Sequence, residues 1–421
     1  MRVRARRWID AARRNPRWTV GALAAGGFVI GTAIALHTGS KLHYADERDY
    51  VTLARNLRAG LGFSEDGLPT AFRPPAWPAV LAVADLIGAG VTAMRLVNVA
   101  FFSCTIVALY SLTRRIAGTD AGLLAALGLS VYPLTVYTST TLYPESQAML
   151  LVTLGLLATV IADGSEATRA RAGWAAAAGA AFGVLGLTAP SYLVIAPIAV
   201  VWLLWRRFSI PRAASLALPL LVVAAIPLLG WGVRNHTQLG AFVPTSTNGG
   251  LNLLLGNNPN ATPTSGVDAD ISAYQDVARQ RGLDEVDKDS FYRAQAIDWM
   301  KSNPSSAAVL YAGKLANFFN YRSNVVTEDQ ESTLTNILGA ISFYPLLLLF
   351  VLRLAAFRKV RISRGEALLV FTYLLFALTS AVFFTRVRFR VPVDQLLISV
   401  VACGAVAWWQ SRRTAEPAPL P

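Results

Sequence analysis

Charge-free runs of bilayer-spanning length recur along the chain at 18–36, 96–112, 121–144, 146–162, 172–205, 213–233, 332–352, 367–385 and 395–411. A helix needs about 20 apolar residues to cross the hydrocarbon core. The run 172–205 is too long for one helix, and Pro190-Ser191 interrupts it, so it reads as a tight hairpin of two. The pattern predicts an all-α polytopic membrane protein with about ten transmembrane helices.

Two long polar segments separate these runs, 37–95 and 234–331. In the first, Tyr50, Leu53, Ala54 and Leu57 follow i, i+3, i+4, i+7 spacing after Asp46, and Gly60 closes the pattern. This predicts an amphipathic helix lying on the membrane surface. Residues 76–90 are apolar but short and Pro-led, which predicts a second surface helix. The other segment has a Gly/Asn-rich stretch from Asn248 to Asn260 and predicts helices near 268–281, 286–302 and 305–320, the last along the membrane. With few apolar positions it can form only a small subdomain. The resulting organisation is an N-terminal stretch (1–17), a transmembrane module (18–233) containing the first loop (37–95), a second loop (234–331), C-terminal transmembrane helices (332–411) and a tail (412–421).

Charge then orients the chain. Only 15% of residues are charged, yet the net charge is +13. The basic residues gather in Arg2 to Arg17, Arg114-Arg115, Arg169 and Arg171, Arg206-Arg207 with Arg212, Arg358 to Arg364, and Arg412-Arg413. Placing these in the cytoplasm lets every span alternate without contradiction. It gives +15 inside and −2 elsewhere, which is the positive-inside asymmetry. Both termini are then cytoplasmic and both long loops lie outside. The basic balance reports orientation rather than a nucleic-acid partner, since no aromatic-basic interleaving is present. The first apolar run lacks a small-residue cleavage site and reads as an uncleaved helix. Cys104 and Cys403 fall within spans and read as packing thiols. The Ala/Arg/Val-rich usage fits a bacterial chain, and so a bacterial plasma membrane.

No nucleotide-binding or zinc-protease motif occurs, so a reaction on the outer face must take an activated substrate from the membrane. A sugar on a polyprenyl phosphate is the obvious one. The lipid phosphate leaves without a general acid, but its departing charge needs cations. The acceptor hydroxyl needs one carboxylate as base. Asp46 or Glu47, with external arginines, supplies that minimal set.

The stretch Asp46-Glu-Arg-Asp-Tyr50 … Gly60-Leu-Gly-Phe63 … Pro69-Thr-Ala-Phe-Arg73-Pro-Pro75 resembles the first loop of the GT-C glycosyltransferases, in particular the lipid A aminoarabinose transferases and protein O-mannosyltransferases. Arg95-Leu-Val-Asn98, Tyr143-Pro-Glu145, Arg234-Asn235, Gly249-Gly-Leu-Asn252, Gly256-Asn-Asn-Pro259 and Arg388-Phe-Arg390-Val-Pro392 continue the resemblance in order. It implies a GT-C fold with extracytoplasmic juxtamembrane helices. It also implies hexosyl or pentosyl transfer from a polyprenyl-phosphate sugar with inversion, to a lipid, polysaccharide or protein acceptor. By the same resemblance Asp46, supported by Glu47, is the catalytic base. Arg73, with Arg388 and Arg390, binds the donor phosphate. Tyr50, Glu145, Arg234, Asn235 and Asn258 are candidate substrate contacts. One departure is Ala189-Pro190 at the hairpin turn, where many relatives carry Arg-Pro.

Each residue also has a plainer reading. Asp46 and Glu47 could cap a helix, Arg73 could snorkel, and Glu145 could begin a span. Arg386, Arg388 and Arg390 could anchor to headgroups. Asn235 and Asn258 could make turns. No cofactor is implied, and a divalent metal is possible but not indicated: His37, His43 and His236 match no standard ligand spacing. A flippase of lipid-linked sugars and a non-catalytic envelope scaffold are the rival classes. The charge-poor spans argue against the flippase. The topology is checked by thiol labelling in intact cells: cysteines introduced at positions 65 and 265 are expected to react with an impermeant reagent, and protection of either overturns the orientation.

Overall fold

The computed structural model describes residues 12–88, 90–205, 209–322 and 333–415. Arg2 to Arg7, the connector pair Arg206-Arg207 and the end of the tail fall outside them.

The first apolar run forms α1 (Pro16–Thr38), with proline in its first turn, where its missing N–H costs nothing. Its Gly27 and Gly31 admit the Phe102, Ile106 and Val99 side chains of α4 (Gly90–Ser130). Before α4 come α2 (Ala45–Arg58), a two-stranded hairpin of β1 (Ser64–Glu65) and β2 (Leu68–Pro69), and α3 (Ala76–Asp85). α4 is two helices joined across Ala117-Gly118, where Gly118 adopts φ +87°, a conformation that side chains resist.

The expected span 121–144 is not continuous. Its helix ends at Ser130 and a second one, α5 (Pro133–Ser139), begins at a proline. Pro133 restricts the residue before it to extended conformations, and Tyr132 is extended (φ −74°, ψ 110°). Next are α6 (Glu145–Gly164), α7 (Thr168–Thr188), a 3₁₀ turn (Pro190–Val194) running into α8 (Ile195–Leu204), and α9 (Ile210–Leu239). The helix therefore breaks where the sequence places the interruption, at Pro190. α7 lies directly on α9, with Gly179 against the Leu220 backbone and Gly183 against that of Ala224. Small residues permit this approach where lipid offers no hydrophobic drive.

The second polar segment folds as α10 (Gly249–Gly256), α11 (Ser272–Gln280), α12 (Glu285–Ser302) and α13 (Pro304–Phe318). The last three correspond to the helices expected near 268–281, 286–302 and 305–320. The chain closes with α14 (Thr333–Ala355), α15 (Arg364–Ser380) and α16 (Val387–Ala415). The charged segment between the apolar runs 367–385 and 395–411 is the start of α16, from Val387. Charged residues interrupt the apolar pattern there, but they pair within the protein and the helix continues through them. Buried Lys314 of α13 donates to the Gly256 (2.9 Å) and Phe383 (2.7 Å) carbonyls, fastening α10 to the bend that precedes α16.

Among the described residues seven helices are long and apolar enough to cross a membrane: α1, α4, α6, α7, α9, α14 and α16. The remaining expected crossings are helical but broken or short: the end of α4 with α5, the 3₁₀ turn with α8, and α15. The all-α polytopic architecture stands.

A side chain at position 179 would place its Cβ 2.3 Å from the Leu220 carbonyl oxygen. Gly179→Val is expected to cost about 1–3 kcal/mol by overpacking, lowering the unfolding midpoint in detergent. Gly173→Ala, with nothing within 4 Å, is the control and leaves that midpoint unchanged or slightly higher.

Candidate active site

The start of α2 is organised by Glu47. Its Oε2 accepts from the His43 (2.8 Å) and Tyr44 (3.3 Å) amides, satisfying backbone donors that precede the first turn. Its Oε1 accepts from the Leu142 amide (2.8 Å) and Arg95 Nη1 (3.4 Å). Arg95 also donates to the carbonyls of Thr140 (2.6 Å), Gly39 (3.2 Å) and Lys41. Glu47 is 0% exposed. Both Glu47 oxygens are occupied and sealed from solvent, so of the expected acids Asp46 and Glu47 only Asp46 is left open.

Asp46 points elsewhere, because successive helical residues diverge by about 100°. Its Oδ1 accepts from Arg73 Nη2 at 2.7 Å and its Oδ2 from Arg388 Nη1 at 3.1 Å. Arg73 arrives from the loop between β2 and α3, and Arg388 from the first turn of α16. Arg73 also donates to Asp49 Oδ2 from Nη2 (2.7 Å) and Nε (3.2 Å). Asp49 was missed in the sequence; the available signal was its i+3 spacing from Asp46, which puts both carboxylates on one face. Arg388 lies over the Tyr143 ring at 3.9 Å and pairs with Glu145 Oε1 at 3.3 Å. The Arg73 guanidinium lies 5.4 Å from the Tyr50 ring and 5.2 Å from the Phe72 ring. Asp46 and Arg388 keep 26% and 29% of their side-chain surface open to solvent.

Burial alone would raise the Asp46 pKa. The charges and hydrogen bonds of Arg388 and Arg73 outweigh it and hold the carboxyl below its ordinary 3.8. Asp46 is therefore ionised at neutral pH. Burial pushes the Tyr50 phenol up to about 12, so Tyr50 stays neutral.

Sequence-expected residues thus divide. Asp46, Arg73, Arg388, Glu145 and Tyr50 come together. Arg390 does not join them, which corrects its expected phosphate role. Fully buried, it pairs with Asp394 at 3.0 Å, donates to the Phe318 and Asn320 carbonyls (2.8 Å each) and stacks 3.4 Å over Phe343. Arg234 also proves structural, binding the Thr70 (2.8 Å) and Phe63 (2.7 Å) carbonyls while stacked on Trp231. Buried Asn235 donates to the Val243 carbonyl. Buried Asn258 donates to the Leu254 carbonyl and accepts from the Asn260 amide. All three fasten loops to the helices that carry them.

Glu285 was missed as well. Its Oε2 accepts from Thr70 Oγ1 (2.6 Å), and its Oε1 from the Ala71 amide (2.8 Å) and Thr247 Oγ1 (2.5 Å). It therefore ties the residues just before Arg73 to the second polar segment. Among the described residues no group of three His, Cys, Asp or Glu could hold a metal ion.

Removing one partner of a buried ion pair typically costs about 3–5 kcal/mol. Arg95→Met is expected to destabilise on that scale, read as a lowered unfolding midpoint. Asp46→Asn, at a half-open position, is expected to leave the midpoint nearly unchanged. Equal losses in the two variants would contradict the division between Glu47 and Asp46.

Residues 73–231 match the family model described as dolichyl-phosphate-mannose-protein mannosyltransferase. No curated protein matches the chain. The archaeal oligosaccharyltransferase AglB from Archaeoglobus fulgidus, solved with an inhibitory peptide and a dolichol-phosphate, is 14% identical with a TM-score of 0.54, covering 97% of this chain and 53% of that one. The apo oligosaccharyltransferase of the same organism is 15% identical with a TM-score of 0.57, over the same shares of the two chains. ArnT from Cupriavidus metallidurans, bound to undecaprenyl phosphate, is 16% identical with a TM-score of 0.49, covering 94% of this chain and 62% of that one. The chain spans between half and two thirds of the length of these proteins. It has the GT-C fold, and over residues 73–231 its sequence is similar to that of the dolichyl-phosphate-mannose-protein mannosyltransferases.

Proposed function

We propose that the protein is a membrane glycosyltransferase, moving a hexose or pentose from a polyprenyl-phosphate donor to an acceptor hydroxyl on the extracytoplasmic face, with inversion. The observation that carries this reading is the half-open Asp46 carboxyl held between Arg73 and Arg388. The description of the matching family model supports a polyprenyl-phosphate donor, as does the dolichol-phosphate bound to the structurally similar archaeal enzyme. The charge split along the sequence supports the orientation, with both termini inside.

In this mechanism the acceptor oxygen attacks the anomeric carbon opposite the phosphate. The carbon–oxygen bond to phosphate breaks, the hydroxyl proton passes to Asp46, and polyprenyl phosphate departs with its charge held by the two arginines. Asp49 and Glu145 fix those guanidiniums before the donor arrives, so little reorganisation accompanies the reaction. Glu47, Arg390 and Arg234 position the machinery without touching reactants. Transport would instead ask for ionisable groups along a path through the bilayer. Here Arg390–Asp394 and Arg353–Glu366 are buried pairs closed on each other.

Asp46→Asn is expected to cut transfer from a polyprenyl-phosphate sugar by about 10²–10⁴-fold, the usual contribution of a positioned base. Arg73→Ala is expected to weaken donor use by about 10–150-fold, from the ~1.5–3 kcal/mol of a charged hydrogen bond, with Arg73→Lys recovering part. A lysine variant as inactive as the alanine variant would refute the phosphate role. Because its pKa is lowered, Asp46 stays ionised above the ordinary carboxylate range and is protonated only as the pH falls below 3.8. Transfer is therefore expected to show no acid limb from Asp46 between about pH 5 and 8; an Asp46-dependent limb there, absent in Asp46→Asn, would show the carboxyl titrating near neutral and overturn its lowered pKa.

A further inference from the structure

Arg386, one residue before α16, is a largely buried cation with few internal obligations. Its Nη2 donates to Asp268 Oδ1 at 3.2 Å, longer than the about 2.7–2.9 Å usual for a charged pair. That oxygen also accepts from the Gly266 amide at 2.8 Å. Arg386 Nε is buried with no hydrogen-bond partner among the described residues. The guanidinium lies against Gly266, where a Cβ would meet Nε at 2.7 Å and Nη2 at 2.8 Å. Only 15% of the side chain is exposed, whereas a headgroup anchor keeps its charge in the interface.

The same residue stands within the field of the candidate site. Burial and then the Arg388 charge hold its guanidinium below the ordinary arginine range, against the pull of Asp268, Tyr143 and Asp46. These groups face it from α16, the second polar segment, the turn before α6, and α2. Two guanidiniums side by side and out of water are costly until an anion joins them. Arg73 and Arg388 are already committed, since between them they meet Asp46, Asp49 and Glu145. Arg386 has donors to spare.

Transfer changes the charge on the phosphate. The donor is a diester with a single negative charge. When the carbon–oxygen bond breaks, its electrons stay on the phosphate oxygen, and the product is a monoester with a second ionisation near a pH of about 6. The balancing proton sits on Asp46. Once Asp46 returns it to water, Arg73 and Arg388 are held again by their carboxylates, and the second phosphate charge calls for another cation. We propose that Arg386 is that cation: it exchanges Asp268 for the dianionic monoester phosphate of the departing lipid, and discriminates this product from the donor diester. This rests on the transferase reading above.

The test uses the full chain in nanodiscs of neutral lipid, with a fluorescent polyprenyl monophosphate and its methyl diester as probes. Between about pH 5 and 8 the monoester gains a charge and the diester does not, so the diester reports any titration of the protein itself. Monoester binding is expected to tighten about tenfold over this range, the scale of one charged hydrogen bond, while diester binding changes little. Arg386→Gln is expected to flatten the monoester profile and Arg386→Lys to restore part of it. Asp268→Asn, which frees the guanidinium, is expected to tighten monoester binding further. Equal profiles for the two probes, or a monoester profile unchanged in Arg386→Gln, overturns the proposal. If Arg386→Gln does not fold, Asp268→Asn decides, and monoester binding no tighter than wild type overturns it. Inorganic phosphate displacing the monoester at equal concentration also overturns it, because the site then takes free phosphate rather than the lipid product. Release of sugar from a polyprenyl-phosphate sugar by the wild-type protein is measured in parallel. Donor turnover without the charge preference refutes the role of Arg386 alone. Charge preference without donor turnover refutes the transferase reading and, with it, the monoester as product.

Discussion

The candidate site is held in register by one buried carboxylate. Glu47 accepts hydrogen bonds from two amides just before its own helix, from the Leu142 amide and from Arg95. An ionised group removed from water is tolerable only when its lone pairs are filled, so the constraint is directional as well as strong. It fixes the first turn of α2 against α4 and against the turn that leads into Glu145. Asp46, one residue away, inherits that position without contributing to it.

The remaining partners of Asp46 are held by separate devices. Pro74 and Pro75 stiffen the backbone after Arg73, while Glu285 and Arg234 bind the backbone just before it. Arg388 is aligned by the Tyr143 face and Glu145, and its helix is anchored two residues later by Arg390 and Asp394. Two cations are thereby brought to one carboxylate from loops and helices that share no local sequence. Their mutual repulsion is offset by Asp49 and Glu145 as well as by Asp46 itself.

Much of this was legible in the sequence. The surface helices of both polar segments were, because their apolar positions recur with helical spacing, and Asp46 and Arg73 were, because the chemistry and the resemblance agree on them. The division between Asp46 and Glu47 was not. The spacing read through Tyr50, Ala54 and Leu57 places Asp46 on the inner stripe, whereas Glu47, Val51 and Ala54 form an equally good one. Both stripes contribute buried residues, Tyr50 from one and Glu47 and Val51 from the other, and only the fold tells which acid is sealed. Arg388 and Arg390 were read together because both sit in one short motif of the resemblance. On a helix, residues two apart point about 200° from one another, so one meets Asp46 and the other the interior. Asp394 escaped notice because a charge inside an apolar run is visible only as the end of that run.

The partners of Asp46 also carry a consequence for biogenesis. α2 is synthesised early, but the amide that completes the Glu47 clamp comes 95 residues later, and Arg388 follows Asp46 by 342. During insertion, then, a chain already displays the acid and its first arginine while lacking the second. The pair closes only when the last described helix enters the bilayer. Integration of that helix is therefore the step that completes the arginine pair around Asp46.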